Sequence, residues 1–363
     1  MRLGFIRRKY DQSGGAELSL RLLVESFAAN GHGINVLTQS WEGFLPDKAV
    51  IHKIASVSGR ARALRTFARA AYEKMRQLDL DLCLSLERVP GVPFFRAGDG
   101  CHLAWLRRRA PYEGWLKRHS FYLNPLHRAQ LDLEAETLTS PALKLVIANS
   151  RMVAEEIKQI YGLGEDQVKV IYNPAVKIPI TDKDRREARS AIFKELALPY
   201  DWPVLLFLGS GFERKGLAFM IRALSLLPQV SLLVAGRGRT AFYERLASKC
   251  GVSERAKFLG LRSDADRLLA ASDVSVLPTI YDPCANVCLE ALAAGKPVVT
   301  TSANGASEMI SQGENGFIIE DPADINCLAD ACRQALALSG PVNAPLQTVE
   351  QWFRELNAAL GLQ

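Results

Sequence analysis

The stretch Leu206-Phe-Leu-Gly-Ser-Gly-Phe-Glu-Arg-Lys-Gly216 decides how this chain is read. An apolar run ends in glycines, two adjacent cations follow, and a helical pattern opens at Gly216. In open parallel sheets, ligands bind beyond the carboxyl ends of the strands. Small residues at such a strand end let a ligand approach the backbone. Arg214 can fork onto two oxygens and Lys215 can act as a point charge, a pair suited to a diphosphate. The plain alternative is a solvated basic turn, but cations at a helix start oppose the helix dipole.

Working outward, short apolar runs alternate with longer amphipathic stretches. Strands are expected at Arg2–Ile6, Ile34–Leu37, Val50–Ile54, Leu80–Leu86, Leu143–Ala148 and Val168–Tyr172. Helical spacing runs from Gly15 to Asn30 and again near Arg60–Met75. The pattern restarts after Asn173-Pro174, with Val176 to Asp184 reading as an irregular linker. New strands follow at Val204–Leu208, Ser231–Ala235, Lys257–Leu259, Val274–Leu277 and Pro297–Thr300, with helices such as Gly216–Leu227 and Asp264–Ala271 between them. Such alternation predicts an α/β protein of two Rossmann-like domains facing a cleft, residues 1–172 and 173–345. A final helical stretch, 346–363, is expected to pack back on the first domain.

A second motif, Tyr281-Asp-Pro-Cys-Ala-Asn-Val-Cys-Leu-Glu290, follows the expected strand Val274–Leu277 and opens a helix. Asp282 falls in the loop and Glu290 about two turns inside the helix. Amides near Ala285, Asn286 and Val287 can bind phosphate. Glu290 could accept from ribose hydroxyls and Asp282 from a sugar, or Asp282 could simply cap the helix.

Bulk properties narrow the classes. The 363 residues carry 48% hydrophobic and 23% charged side chains, the profile of a globular chain long enough for two domains. No run approaches a membrane span, and the N-terminus turns charged too early for a signal peptide, so a cytoplasmic home is expected. The seven cysteines are scattered and form no C-x-x-C pair, which argues against a disulfide framework or a structural zinc site. Of the net charge of +6, residues 1–172 hold 25 Lys and Arg against 18 Asp and Glu, pointing to an anionic partner for the first part.

The basic pair and the paired acids together resemble the donor site of the family 4 glycosyltransferases, whose two-domain fold is called GT-B. In that family R-K follows a glycine-rich strand end and an E-x7-E motif comes later. The resemblance implies that Arg214 and Lys215 bind the diphosphate of a nucleotide sugar and Glu290 its ribose. Asp282 departs from the family's glutamate, so its contact with the sugar is the less secure of the two acids. Gly14 and Gly15, in Ser13-Gly-Gly-Ala-Glu17, match a glycine loop beneath the donor phosphates; a plain Gly-Gly turn is the alternative. The motif lacks the G-x-G-x-x-G of dinucleotide enzymes.

Within the family, Gly31-His-Gly-Ile-Asn-Val-Leu-Thr-Gln-Ser-Trp-Glu-Gly43 and residues 207–216 look like the lipopolysaccharide core glucosyltransferase I branch. That branch places a carboxylate at Asp99, in Arg96-Ala-Gly-Asp-Gly-Cys101, near the reacting sugar, and Arg262 near the uracil. Asp99 could instead shape a glycine-flanked turn, and Arg262 could be a surface residue. The resemblance implies a retaining transfer of a hexose, glucose in that branch, from UDP-sugar to a heptose of a lipid-linked core, giving an alpha linkage. No cofactor and no metal is expected: two cations and helix amides would stabilise the departing UDP, and no D-x-D motif sits in a suitable place.

Residues 102–133 interleave Arg107, Arg108, Arg109, Lys117 and Arg118 with Trp105, Tyr112, Trp115, Phe121 and Tyr122. Cations with Trp and Tyr fit a helix or helical hairpin on an anionic membrane surface; the resemblance implies that this is the inner face of the bacterial inner membrane. A solvated basic face with inward aromatics is the alternative. No nucleic-acid motif accompanies the charge. Two rival functions remain. One is a UDP-sugar 2-epimerase, disfavoured by the absence of histidine after residue 127; the other is a sugar-nucleotide-binding module without chemistry.

Overall fold

The computed structural model describes residues 1–10, 15–43, 45–47, 49–175 and 180–362, and for 15–18 the backbone alone. The chain divides into two compact units, Met1–Asn173 with Val349–Gln363, and Pro174–Thr348.

In the first unit the strands are β1 (Arg2–Ile6), β2 (Lys9–Tyr10), β3 (Gly33–Thr38), β4 (Ser40–Trp41), β5 (Ala49–Lys53), β6 (Leu82–Ser85), β7 (Phe94–Ala97), β8 (Leu145–Ala148) and β9 (Val168–Val170). Seven form one sheet in the order β5-β3-β1-β6-β7-β8-β9, and β2 pairs β4 separately. Every pairing in the main sheet is parallel. The helices are α1 (Gly15–Ala29), α2 (Arg60–Gln77), α3 (His102–Arg109), α4 (Trp115–Leu123), α5 (Pro125–Leu138) and α6 (Arg151–Tyr161). Buried apolar strands such as Leu145–Ala148 are what a sheet covered on both faces requires. One covering layer contains Phe67, Leu133 and Ile157. The other contains Phe27 and takes in Trp352, Leu356 and Leu360 of the last helix, α13 (Val349–Leu360).

In the second unit, α7 (Asp182–Leu196) precedes β10 (Val204–Leu208). Then come α8 (Leu217–Leu224), β11 (Ser231–Ala235), α9 (Ala241–Lys249), β12 (Ala256–Gly260), α10 (Ala265–Ala271), β13 (Val274–Leu277), α11 (Asn286–Ala293), β14 (Val298–Thr301), β15 (Gly316–Ile319) and α12 (Ile325–Leu336). The sheet order is β12-β11-β10-β13-β14-β15, all parallel. This is the doubly wound order, with its reversal between β10 and β13. Its counterpart in the first unit lies between β1 and β6.

Three expectations need correction. The linker ends early: Thr181 caps α7, its hydroxyl accepting from the Asp184 amide while Asp184 accepts from the Thr181 amide, so residues 182–184 are helical. The final helix starts at Val349 because Leu346 packs into the second unit's core. The strands β7 and β15 are not among those expected, although β15, Gly-Phe-Ile-Ile, is itself an apolar run. In β7 the obstacle is Arg96, which is nevertheless buried: it donates to Asn173 Oδ1 at 2.6 Å and lies 5.6 Å from the centre of the Trp352 ring.

Candidate active site

The second unit's switch point gathers the two motifs. Arg214 and Lys215 follow β10, and Asp282 follows β13. Lys215 Nζ donates to Asp282 Oδ2 at 3.0 Å, and Arg214 Nη1 lies 3.1 Å from the same oxygen. The loops are also joined through backbone: the Arg214 carbonyl accepts from the Ile280 amide and the Thr279 hydroxyl, each at 2.9 Å. Glycine is required twice here. A Cβ at Gly216 would meet the Pro278 carbonyl oxygen at 1.8 Å, and one at Gly209 would meet Lys215 Cε at 2.9 Å. Small residues thus bring the two loops together and let the lysine lie across the strand end.

Asp282 and Lys215 are buried while Arg214 is one-third exposed. Burial pushes the Asp282 carboxyl up, but Lys215 and Arg214 overcome it and hold the group below the usual aspartate value. The site therefore presents two cations tied to one ionised carboxylate. A diphosphate offers the same cations several anionic oxygens in its place.

Glu290 lies on α11, half-buried. Among the described residues its carboxylate has no hydrogen bond. Burial raises it above the ordinary glutamate value; Asp266 adds to the rise and Lys215 opposes it. The helix start is shaped by Asn304, a buried residue that the motif reading passed over. Its Oδ1 accepts from the Ala285 and Ala306 amides, each at 3.1 Å, and its Nδ2 donates to Thr300 Oγ1 at 3.0 Å. The Ala285 amide is therefore occupied. Of the three expected phosphate-binding amides, that of Val287 has no acceptor among the described residues, and Asn286 opens the helix. Cys284 and Cys288 are buried, Cys288 pushed up to about 12 by burial. Both belong to the second unit's hydrophobic core, and Cys288 Sγ also accepts from Asn304 Nδ2 at 3.4 Å.

Arg262 follows β12 and is ion-paired. Its Nε donates to Asp264 at 2.7 Å and its Nη1 to Glu195 at 2.6 Å. Two carboxylates hold the guanidinium between α7 and α10.

In the first unit, Asp99 forms the apex of the turn after β7. Arg7, after β1, lies 3.3 Å from Asp99 and 3.5 Å from Glu87, which follows β6. The crevice between β1 and β6 thus also holds an ion-pair group, with Arg7 as its centre. Gly14 lies outside the described residues; Gly15 is the first residue of α1.

The basic face is only partly outward. Arg109 packs over the Trp105 and Phe121 rings and pairs with Glu113 at 2.6 Å, and Arg108 pairs with Glu156 at 2.9 Å. Arg109 belongs to the packing of the region, whereas Arg108, though paired, remains over one-third exposed. Arg107, Lys117 and Arg118 are exposed. Arg118 also reaches the Glu113 and Pro111 carbonyls, at 2.8 and 3.1 Å.

Family models account for most of the chain in two pieces. Residues 13–175 match Glycosyltransferase Family 4, and residues 188–350 match Glycosyl transferases group 1. The chain belongs to the family 4 glycosyltransferases. It is 26% identical over 347 residues to the lipopolysaccharide glucosyltransferase WaaG of Escherichia coli, covering 93% of this chain and 90% of that one. It is 33% identical over 193 residues to the lipopolysaccharide core biosynthesis glycosyltransferase LpsE of Rhizobium meliloti, covering 53% and 54%. The crystal structure of WaaG matches with a TM-score of 0.78 at 24% identity, covering 99% of this chain and 95% of that chain. HepE of Anabaena, solved with UDP and glucose, matches at 0.69 with 21% identity, covering 99% of each. The GT-B fold of two Rossmann-like domains follows from these matches and the two sheets.

Proposed function

We propose that this glycosyltransferase moves a hexose, glucose, from a UDP-sugar to a heptose of a lipopolysaccharide core acceptor, retaining the anomeric configuration. The observation that carries the reading is the switch point of the second unit, where Arg214 and Lys215 converge on one buried carboxylate. UDP would take both cations on its phosphates, with the Val287 amide beside them. Glu290, half-buried and without a hydrogen bond to its carboxylate among the described residues, would accept from the ribose hydroxyls. The names of the relatives in lipopolysaccharide synthesis support the acceptor class.

In the reaction, the acceptor oxygen bonds to C1 on the face from which UDP departs. The bond from C1 to the phosphate oxygen breaks, and the hydroxyl proton passes to the departing phosphate. The cations stabilise the charge that develops on UDP, the role that preorganised electrostatics fills without a metal. Asp282, bound to both cations, keeps them in place until the donor arrives, and Asp99 serves the acceptor side. A donor screen with deacylated lipopolysaccharide core tests this. Turnover with UDP-glucose and an alpha-linked product is expected; UDP release that ignores the acceptor, or epimerised donor, would reject it.

The enzyme works, in this proposal, as a peripheral protein on an anionic membrane, where a lipid-linked acceptor resides. The support is α4, whose Trp115, Leu116, Tyr122 and Leu123 are 69%, 67%, 54% and 76% exposed beside Lys117 and Arg118. Exposed apolar side chains beside cations suit an interfacial helix. Among the described residues no helix is long and apolar enough to cross a membrane. Sedimentation with anionic liposomes at low salt should bring the protein down, and substitution of Trp115 and Leu123 by serine should release it; no binding at low salt rejects the membrane role.

A further inference from the structure

Glu134, on α5, is buried to 1% exposure, yet it carries a dense set of donors. Arg88 Nε donates to it at 2.9 Å, the His102 amide at 2.6 Å, the Leu103 amide at 3.1 Å and the Tyr161 hydroxyl at 2.7 Å. Two of these donors are the first amides of α3, whose N-cap residue, Cys101, makes no side-chain cap bond. Glu134 therefore does from a different helix what a capping serine or aspartate would do locally. Burial pushes its carboxyl up, but Arg88, the His102 amide, Tyr161 and the Leu103 amide outweigh that and hold it below the ordinary glutamate value.

A capping serine at position 101 would serve the helix without a buried charge, which is costly to keep. The carboxylate does more, because Arg88 reaches past it. Arg88 Nη2 also donates to the Gly100 carbonyl at 2.8 Å. On the other side of the same turn, Asn149 Nδ2, itself buried, donates to the Gly98 carbonyl at 3.2 Å. The carbonyls flanking Asp99 are thus both held by side chains from behind, and Asp99 is left at the apex facing Arg7.

We propose that Glu134 is a positioning residue for sugar transfer: through Arg88 and the first turn of α3 it fixes the turn Gly98–Cys101 and so sets the place of the Asp99 carboxylate. It rests on the acceptor-side role given to Asp99 above. The test measures kcat and donor KM, by UDP release from UDP-glucose with deacylated lipopolysaccharide core. The variants are Glu134→Gln, Tyr161→Phe and Asp99→Asn, with the two doubles that contain Asp99→Asn. Tyr161→Phe should lower kcat about 10-fold, the worth of one hydrogen bond to a charged group, and Glu134→Gln further, both with donor KM unchanged. In the Asp99→Asn background neither should lower kcat again, since groups acting through one another are not additive. Full proportional losses in that background would overturn the proposal while leaving Asp99 in its role. Parent-like kcat in Asp99→Asn would remove that role and the proposal with it. If Glu134→Gln does not fold, the Tyr161→Phe pair decides alone.

Discussion

The two switch points invert each other. In the second unit two cations share one carboxylate: Lys215 and Arg214 lie 3.0 and 3.1 Å from Asp282. In the first, one guanidinium stands between two carboxylates, with Arg7 at 3.5 Å from Glu87 and 3.3 Å from Asp99. The exposures are inverted as well. Asp282 is sealed in, its side chain 8% exposed, whereas that of Asp99 is 49% exposed. The sheets are wound alike, so what separates the crevices is the chemistry after their strands. In the proposal the sealed carboxylate holds its cations for an incoming anion. An open one is available to hydroxyls. In the proposed reading this gives Asp282 an indirect part: its short side chain is bound to the two cations and would act on the sugar through them.

The largest effect expected from this contrast is at Lys215. Lys215→Ala should reduce turnover by about 10²–10³-fold, as the loss of an oxyanion donor does, measured as UDP release; unchanged kinetics would remove it from the site. Arg7→Ala should instead leave the donor KM where it is. Next is Asp282→Asn, which strips the partner from a buried lysine. Breaking a buried ion pair costs about 3–5 kcal/mol, so the urea midpoint should fall, and UDP should raise it more than in the parent. Because the folded carboxyl sits below the usual aspartate value, its stabilisation is complete above about pH 4 and is lost as pH falls through the folded value. Acid unfolding of the parent that Asp282→Asn does not blunt would contradict the ion pair's weight.

Glu290→Gln should raise the donor KM by about 10-fold, since a hydrogen bond to a charged group is lost. The Glu290 carboxyl lies above the ordinary glutamate value, so donor affinity in the parent should weaken as pH is lowered through that raised value. The variant should show no such limb; a limb that persists belongs to another group. The smallest effect is expected from EDTA, which should leave turnover intact, and its abolition would sink the metal-free proposal.

Much of this was legible from residue order. The strand Val204–Leu208, its glycines and the R-K pair read directly because a strand buried on both faces is a continuous apolar run. The Lys215 contact with Asp282 was not legible, since it joins residues 67 apart through the reversal of strand order. Asn304 gave little signal: a single Asn-Gly after a strand reads as a turn, and only the fold shows its Oδ1 on the Ala285 amide. Glu134 and Arg88 were hidden for the same reason, two charges that a linear reading puts on the surface. Arg109 erred the other way: Trp105 lies four residues before it on α3, but Phe121, which closes over it, comes from α4 and gives no such spacing signal.

Calorimetric titration of UDP, in EDTA, into the parent, Lys215→Ala and Arg7→Ala proteins tests the central claim most directly. The cation pair after β10 as the donor-phosphate site predicts binding to the parent, loss of most affinity in Lys215→Ala, and parent-like affinity in Arg7→Ala. Parent-like binding by Lys215→Ala, or loss confined to Arg7→Ala, would contradict it.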